Sequence, residues 1–295
     1  MNPTAVLYAL ILLMVAFWSG NYIAGKIALR ELSPLLTAGL RIGLAGLAML
    51  PLFAWERRRP GRFRQARSAA EVARLLVLGL LGVTLNQVFF VIGLSRTSVA
   101  HAAILIGTTP IQVLIIAGLR GQERITVRKA AGMAVALAGV AVLTVFEPAA
   151  ATGASWSGDF FILITGLCFA LFTVFGKEVT REYSTITVNT YAYVGGAVAL
   201  LPLTLWEAGR QSLAHVSAGA WLCAIYMALF PSVIAYLIYY YALSHMAASR
   251  VSAFSYLQPV FASIMGVFML GESLSASVIG GGAVILAGVY LAERG

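Results

Sequence analysis

The amino-acid sequence predicts an all-α integral membrane protein whose ten transmembrane helices form two inverted five-helix repeats. Three observations lead to this fold class. Hydrophobic residues make up 60% of the 295-residue chain and charged residues only 11%, a balance that leaves too little polar surface for a soluble domain. The apolar residues fall into runs long enough to cross a bilayer. Finally, the second half of the chain repeats features of the first.

The apolar runs define the predicted spans. A hydrocarbon core about 30 Å thick requires roughly 20 apolar residues per helix. Runs of this kind lie near residues 4–25, 34–55, 73–94, 98–119, 127–146, 158–176, 185–206, 218–243, 248–270 and 275–292. The first run lacks a basic segment before it and ends at a charged Gly-Lys pair rather than a cleavage site. We therefore interpret it as a retained helix and not as a signal peptide.

The internal repeat is visible in two alignments. Residues 95–143 align without gaps on residues 244–292 with eleven identities, which include paired prolines, paired glutamates and a paired Ala-Gly-Val. In addition, the heptapeptide GKIALRE of residues 25–31 returns as GKEVTRE 151 residues later. Five spans is an odd number, so the second unit enters the membrane from the opposite side. The predicted units are residues 1–146, a periplasmic linker at 147–155, and an inverted repeat at 156–295.

Basic residues predict the orientation of the chain. The connection after the second span contributes seven arginines, and the stretch RGQERITVRK adds three arginines and one lysine. The positive-inside rule places both loops and both termini in the cytoplasm, where anionic lipid headgroups would be their partners. The net charge of +9 could also indicate nucleic-acid binding, but the basic cluster flanks a membrane helix and contains one aromatic residue, Phe63. We therefore expect no nucleic-acid partner.

Several short motifs support a family resemblance. Trp18-Ser19 and then Lys26 occur on the first span, Arg41 on the second, and a Gly-Glu pair followed by Ala-Gly-Val on the last two. With these motifs the chain resembles the EamA-type transporters of the drug/metabolite transporter superfamily over essentially its whole length. In the first half, Gly-Gln-Glu at 121–123 replaces the adjacent Gly-Glu of the family, which changes the expected turn. The resemblance implies a bacterial inner-membrane exporter of small metabolites, often amino acids or toxic cations.

Aromatic and amide side chains on several spans predict a substrate cavity. A polar group on a spanning helix must face a partner helix or a wet cavity, because lipid offers it no hydrogen bond. The candidate lining residues are Trp18, Asn21, Tyr22, Asn86, Gln87, Phe90, Phe172, Tyr193, Tyr236, Tyr240, Tyr256 and Gln258. Such a lining favours a flat, amphipathic or cationic solute through stacking and cation–π contacts. Alternatively, the tyrosines at 239–241 form an interfacial belt.

The candidate gating residues come as pairs related by the repeat. They are Lys26 with Lys177, His101 with Arg250, and Pro110 with Pro259. A proline within a span removes a backbone donor, so both prolines predict a kink in mid-helix. The charged residues have two interpretations. They either extend to the membrane surface as anchors or hold ion pairs and carbonyl contacts that break when their side opens.

Three further charged residues are predicted to be structural. Arg41 stands deep in the second span, where we expect backbone carbonyls or aromatic faces rather than substrate as its partners. Glu123 and Glu272 are each expected to cap the helix that follows. All eleven carboxylates lie at helix ends or in loops, so a proton-carrying role would fall to His101.

These observations predict an inner-membrane exporter that works by alternating access, as a monomer or homodimer. Its predicted cargo is amino acids, with aromatic ones favoured, or related amphipathic compounds. Export of toxic cations or drugs, with or without proton antiport, is the alternative within transport. An intramembrane enzyme or a receptor scaffold is the alternative outside it, but the sequence lacks a His-Glu-x-x-His motif and a mid-helix Asp pair. Cys168 and Cys223 lie within apolar runs, so we expect no disulfide, metal or cofactor.

Overall fold

A computed structural model describes residues 3–58, 64–97, 99–145, 155–270 and 276–295 of the chain. Over these residues the protein is helical and contains no β-strand. The first half comprises α1 (Pro3–Ala28), α2 (Pro34–Arg57), α3 (Ala69–Gly79), α4 (Asn86–Arg96), α5 (Val99–Ile106), α6 (Thr109–Leu119) and α7 (Val127–Val145). A π-helix, Leu80–Leu85, joins α3 to α4, so the two form one continuous helical stretch.

The second half has the same order of elements. It comprises α8 (Trp156–Val179), α9 (Thr185–Arg210), α10 (Ala218–Ala228), α11 (Ala235–His245), α12 (Ala248–Ala253), α13 (Gln258–Leu270) and α14 (Ala276–Glu293). A second π-helix, Leu229–Ile234, joins α10 to α11. Short 3₁₀ turns, Leu213–His215 and Phe254–Leu257, precede α10 and α13.

The helix boundaries repeat along the chain at the interval found in the sequence. The stretches α3, the first π-helix and α4 begin 149 residues before α10, the second π-helix and α11. The same interval separates the starts of α6 and α13, and of α7 and α14. A π-helix is a rare element, so its occurrence at two equivalent positions is a specific sign of internal duplication.

The outer surface of the helices is suited to lipid. Six helical stretches are long and apolar enough to cross a membrane: Thr4–Ala28, Pro34–Arg57, Ala69–Arg96, Trp156–Val179, Thr185–Arg210 and Ala218–His245. Large apolar side chains are exposed on these and other helices, for example Leu47, Val198, Leu222 and Leu286. In water such a surface would drive association, whereas a bilayer solvates it. The predicted all-helical membrane protein therefore agrees with the structure at this level.

Serine side chains begin several of the helices. Ser33, Ser155, Ser184 and Ser217 each accept a hydrogen bond from the backbone N–H three residues further on. Ser68 does the same at the start of α3, within a capping box completed by Glu71. These bonds satisfy donors that have no partner inside the helix. They also explain how short loops can reverse the chain between long apolar helices.

The crossing of α7 and α14 explains the paired Ala-Gly-Val motif. A Cβ atom added at Gly139 would lie 2.7 Å from the backbone nitrogen of Ile285, and one added at Gly132 would lie 2.8 Å from the Cα of Ala292. Gly288 meets the backbone of Ala136 in the same way. Glycines from both helices therefore let the two backbones touch, as small residues commonly do between membrane helices.

The two repeat-related prolines begin helices, and the predicted mid-helix kinks are wrong. α5 ends at Ile106 and α6 begins at Thr109, so Pro110 lies in the first turn of α6. Pro259 likewise follows Gln258, the first residue of α13. A proline in the first turn lacks an N–H that would have had no partner in the helix, so it is well tolerated there. Pro110 thus follows a break between two helices, whereas Pro259 lies where a 3₁₀ turn passes directly into α13.

Glu123 does not cap the helix that follows it, as the sequence had suggested. The N-terminus of α7 is capped by Thr126, whose hydroxyl accepts the Lys129 N–H at 3.1 Å. The Glu123 carboxylate instead accepts the backbone N–H of Ser249 at 3.1 Å, the Ser249 hydroxyl, and the Lys129 ammonium at 3.1 Å. Glu123 thereby ties the α6–α7 connection to the start of α12. Glu272 lies outside the described residues.

Candidate functional site

A cavity of about 90 Å³ lies among helices of both halves. Its described lining residues are Trp18, Asn21, Tyr22, Arg41, Asn86, Gln87, Phe90, Ile106, Thr109, Thr165, Gly166, Phe169, Tyr236, Ser252, Ser255 and Gln258. The cavity therefore lies beside the junction of α5 with α6 and beside the junction of α12 with α13. Discontinuous helices of this kind form the binding sites of several membrane protein folds.

Residues related by the repeat line this cavity together. Four such pairs line it: Trp18 with Phe169, Gln87 with Tyr236, Ile106 with Ser255, and Thr109 with Gln258. The first pair is in direct contact, since the ring centroids of Trp18 and Phe169 lie 5.7 Å apart in an edge-to-face arrangement. Both halves thus contribute equivalent positions to one shared space.

Aromatic rings form two parts of the cavity wall. On one side Trp18 contacts Tyr236 at a centroid distance of 6.1 Å, and Phe169 contacts Tyr236 at 6.2 Å. On another side Tyr22 and Phe90 pack edge to face at 5.7 Å. These ring contacts hold the aromatic faces in defined orientations.

The π-helices fix the orientation of two of these rings. The Trp18 indole N–H donates to the carbonyl oxygen of Pro231 at 3.0 Å, and the Tyr236 hydroxyl donates to the carbonyl oxygen of Gly82 at 3.1 Å. Gly82 and Pro231 occupy the same position in the first and second π-helix. The wider turn of a π-helix frees carbonyls from the regular bonding pattern. Each freed carbonyl accepts a bond from an aromatic donor at the cavity wall.

The amide side chains are only partly satisfied. Asn86 donates through Nδ2 to the carbonyl of Thr165 at 3.0 Å, and Gln87 donates through Nε2 to the Tyr193 hydroxyl at 3.0 Å. Within the described residues, Gln87 Oε1 and Asn21 Oδ1 are buried without a hydrogen-bond partner. Thr109 Oγ1, at the start of α6, is in the same state. Buried acceptors of this kind are costly unless something bonds to them.

Arg41 is a buried cation on the wall of the cavity. Its side chain is 4% exposed, and its Nε donates to the Ser232 hydroxyl at 2.7 Å. That hydroxyl in turn donates to the carbonyl of Met227 at 2.7 Å. In the part of the chain that the structure describes, no carboxylate lies within ion-pair distance of Arg41. The sequence predicted a structural role for this residue, and the structure adds that it faces the cavity.

Eight of the twelve predicted lining residues are on the cavity wall: Trp18, Asn21, Tyr22, Asn86, Gln87, Phe90, Tyr236 and Gln258. The other four are fully buried behind it. Phe172 packs against Gly82, Tyr193 donates to the carbonyl of Ser232 at 3.2 Å, and Tyr240 packs on Phe172 at 5.0 Å. Tyr256 is completely inaccessible.

Several lining residues were not predicted from the sequence. They are Ile106, Thr109, Thr165 and Gly166. Thr109 had a usable signal, because it directly precedes Pro110 and so lies at a helix break. The small residues carried no comparable signal.

The repeat-related lysines make equivalent contacts. Lys26 donates through Nζ to the carbonyls of Leu94 at 2.7 Å and Thr97 at 3.0 Å, at the C-terminus of α4. Lys177 donates to the carbonyls of Leu243 at 3.1 Å and of Met246, at the C-terminus of α11. A cation at a helix C-terminus satisfies free carbonyls and interacts favourably with the helix dipole. The lysines therefore fasten one helix end in each half.

Arg250 is also paired. Its guanidinium lies 3.4 Å from the Glu293 carboxylate, which accepts a further bond from the Tyr8 hydroxyl at 2.6 Å. This cluster joins the start of α12 to the ends of α14 and α1. The backbone of His101 belongs to α5, but its side chain lies outside the described residues.

Helices with a lipid-suited exterior and an interior cavity lined by aromatic and polar groups define a polytopic membrane protein of the transporter type. The model of the EamA-like transporter family matches residues 5–145 and again residues 156–293. The chain belongs to this family, and the resemblance inferred from its motifs is confirmed. Family membership favours a transporter over an enzyme.

Individual relatives agree with this assignment. An uncharacterized transporter of Archaeoglobus fulgidus is 31% identical over 286 residues, which cover 96% of each chain. The uncharacterized transporter YyaM of Bacillus subtilis is 27% identical over 97% of this chain and 93% of its own. A WAT1-related chloroplastic protein of Arabidopsis thaliana is 27% identical over 93% of this chain and 66% of its own. One solved crystal structure shares the fold, with a TM-score of 0.79, 18% identity, and coverage of 98% and 97%.

Proposed function

We propose that this protein exports amino acids or related amphipathic metabolites across the bacterial inner membrane by alternating access. The observation that carries the proposal is the set of four repeat-related residue pairs on the wall of one cavity. A site shared equally by two halves can be exposed to either side of the membrane when the halves exchange conformations. Aromatic amino acids are the favoured cargo.

The alternating-access part of the proposal requires inverted repeats. Helix packing supports a two-fold relationship: α1 packs on α10 and α11, whereas its counterpart α8 packs on the first π-helix and α4, and α2 pairs with its own counterpart α9. If residues 1–146 and 156–295 each form five spans, the pseudo-two-fold axis that relates them lies in the membrane plane. A reporter fused after Gly295 should then read cytoplasmic, and one inserted near Gly153 periplasmic. The opposite reading at either site would contradict the arrangement.

The lysine contacts provide a physical basis for two gates. Under the proposed topology, Lys26 lies near the periplasmic end of α1 and Lys177 near the cytoplasmic end of α8. Each holds the C-terminus of a helix, α4 or α11, that carries part of the cavity wall. Release of one lysine would free the helix end on its own side only. Both lysines are engaged with their carbonyls, so under this proposal neither gate is released.

The composition of the cavity wall favours a particular cargo. Arg41 is the one charged side chain among its described residues, and the remainder are aromatic, amide, hydroxyl or small. A buried arginine opposes the entry of a cation, so the wall argues against toxic cations as the main cargo. A zwitterion with an aromatic or apolar side chain fits better, since its ring can stack on Trp18 or Phe169.

Transport by purified protein in liposomes tests the cargo. Trp18→Ala should weaken transport of phenylalanine by roughly ten- to a hundredfold, because base stacking on one aromatic face contributes about 1–3 kcal/mol in other systems. Threonine and a cationic dye should be affected less. Trp18→Phe keeps a ring but loses the bond to Pro231, so it separates stacking from orientation. Trp206→Ala, at an exposed tryptophan, is the matched control.

Two results would count against an aromatic site. Equal losses for phenylalanine, threonine and the dye would indicate that Trp18 is structural. A preferential loss for threonine would contradict stacking directly.

A further inference from the structure

We propose that Arg41 is the residue that binds the carboxylate of the substrate, so that the cavity takes α-amino acids or other small carboxylates. The inference rests on the proposed function, in that it treats the central cavity as the substrate site. It goes further by assigning the charged end of the substrate to one side chain. Three features of the described residues carry it.

The first feature is the incomplete bonding of Arg41. Its guanidinium offers five N–H donors, and in the described part of the chain only Nε has a hydrogen-bond partner, the Ser232 hydroxyl. The side chain is 4% exposed and lines the cavity. A buried cation without a counter-ion is unfavourable, and a planar guanidinium matches a carboxylate in a bidentate arrangement. The bond to Ser232 orients the group and leaves its terminal nitrogens for a ligand.

The second feature is the position of two helix N-termini. Thr109 begins α6 and Gln258 begins α13, and both residues line the same cavity as Arg41. The start of a helix carries a partial positive charge, although the backbone N–H groups of Ile111 and Gln258 already donate to the carbonyls of Thr108, at 3.1 Å, and of Ser255. Half-helix N-termini inside membrane proteins interact favourably with anionic groups of substrates. Arg41 therefore supplies the donors for a carboxylate, and the two helix starts add to the positive potential around it.

The third feature is a pair of unsatisfied acceptors for the substrate ammonium, which an α-amino acid carries on the same carbon as its carboxylate. Asn21 Oδ1 and Gln87 Oε1 are buried on the wall and lack a partner within the described residues. Both oxygens accept hydrogen bonds only, so a substrate ammonium would satisfy them. The rings of Tyr22 and Phe90 lie in the same wall and would attract the same cation. The cavity therefore carries complementary groups for both charges of a zwitterion.

Arg41 also breaks the symmetry of the cavity. Its counterpart in the second half, at the interval of 151 residues, is Ala192. A packing residue needed at the interface of two equivalent halves would be expected in both of them. One arginine on one side instead gives a substrate a single carboxylate anchor. An arginine in only one half can bind the substrate carboxylate in a single orientation.

Binding to the full-length protein in detergent tests the assignment. Four probes share a phenyl ring: L-phenylalanine, 3-phenylpropionate without the ammonium, phenethylamine without the carboxylate, and neutral 3-phenyl-1-propanol. We expect Arg41→Gln to weaken binding of the two carboxylates by roughly ten- to a hundredfold, measured by titration calorimetry. Phenethylamine should bind as well as before or more tightly. Arg41→Lys should retain part of the carboxylate affinity, and Arg30→Gln, at an exposed arginine, should change nothing.

The outcomes are separable. Equal weakening of phenethylamine and 3-phenylpropionate by Arg41→Gln would overturn the assignment, as would unchanged binding of the carboxylates. If Arg41→Gln does not fold, the wild-type series decides, because 3-phenylpropionate must then bind more tightly than 3-phenyl-1-propanol. Arg41-dependent binding by a protein that moves no labelled phenylalanine in liposomes would refute the proposed transport function and leave the carboxylate site standing.

Discussion

Lys26 and Lys177 make the same contact in the two halves of the protein: each donates through Nζ to two carbonyls at the C-terminus of a helix. The accepting residues, Leu94 and Thr97 for Lys26, are equivalent to Leu243 and Met246 for Lys177. Anchoring at the membrane surface would not require this match. The lysines therefore hold equivalent helix C-termini in the two halves.

Replacing either Lys26 or Lys177 should open one side of the cavity. Lys26→Met leaves two carbonyls without their charged donor, a loss of about 1–3 kcal/mol, so the open population on that side should rise roughly tenfold or more. Membrane-impermeant maleimide can report this through Thr109→Cys on the cavity wall, in a background lacking Cys168 and Cys223. Lys26→Met should increase labelling from the periplasm, and Lys177→Met from the cytoplasm.

The controls for this experiment come from the same repeat. Arg30 and Arg181 are exposed, lie four residues after the lysines, and carry the same charge. Arg30→Met and Arg181→Met should leave labelling unchanged. If both lysine variants increased labelling from the same side, the inverted arrangement of the halves would be wrong.

The two helix-starting prolines should matter more for transport than for stability. Pro110→Ala and Pro259→Ala restore a backbone N–H in a first turn, where it has no helical partner, so the melting temperature should change little. Alanine nevertheless permits the preceding helix to continue through the break, which would reshape the cavity around Thr109 and Gln258. We expect a several-fold slower turnover for each variant and a larger loss for the double variant.

Prolines elsewhere provide the comparison. Pro51 and Pro202 lie inside α2 and α9, at exposed and repeat-related positions. Their alanine variants should transport normally. Unchanged turnover in the Pro110 and Pro259 double variant would leave helix initiation as the only role of these residues.

The glycine contact between α7 and α14 should tolerate no larger residue. At Gly288 an added methyl group would overlap the backbone of Ala136, and at Gly139 it would overlap that of Ile285. Gly288→Ala and Gly139→Ala should each reduce the free energy of unfolding by about 1–3 kcal/mol, as overpacking usually does. Thermal unfolding in detergent measures the change. Gly280→Ala, on the open face of α14, should instead be neutral or slightly stabilising.

Glu123 should give the protein an acid-sensitive contact. Burial alone would raise the pKa of Glu123, but the Ser249 hydrogen bonds and the Lys129 ammonium hold it below its ordinary value of 4.5. Because the folded-state pKa is the lower one, the stabilisation is complete above the unfolded-state pKa and is lost as the pH falls through the folded-state value. Glu123→Ala should therefore lower the melting temperature at pH 7, with the difference shrinking below about pH 4.5.

The comparison for Glu123 is an exposed carboxylate. Glu182 pairs with Arg74 at 3.2 Å on the surface, where ion pairs contribute little. Glu182→Ala should have almost no effect on the melting temperature at any pH. A Glu123→Ala penalty that stayed constant down to pH 3 would show that shape rather than charge is lost.

The parts of the fold that the sequence predicted depend on features repeated along the chain. The paired Ala-Gly-Val and the paired lysines recur at nearly fixed intervals, and the structure has matching helix boundaries and matching contacts at those positions. The π-helices could not be predicted in this way. Leu80–Leu85 and Leu229–Ile234 are ordinary apolar segments, and the wider turn depends on how the helices pack. An extra residue in a turn also shifts the helical periodicity, so faces assigned across it are unreliable.

The candidate site could also be predicted only in part from the sequence. Residue type and depth identified Trp18, Gln87 and Tyr236 as wall residues, whereas Tyr240, four residues after Tyr236, is fully buried behind the wall. For Arg41 the sequence indicated depth in the membrane but not direction. Which face of α2 turns towards the cavity is decided by contacts with distant helices. A single sequence carries no local signal of such contacts.

If the proposed export takes place, Arg41 stays with the protein, and the charge that leaves the cell in each cycle is that of the solute alone. A zwitterion has no net charge, so the membrane voltage does no work on its export and only its concentration gradient drives release. A solute with a carboxylate and no ammonium would be expelled by an inside-negative voltage, with a gain of about 2.3 kcal/mol per 100 mV. The net charge of a carboxylate cargo, and not the arginine that binds it, thus decides whether its export is electrogenic.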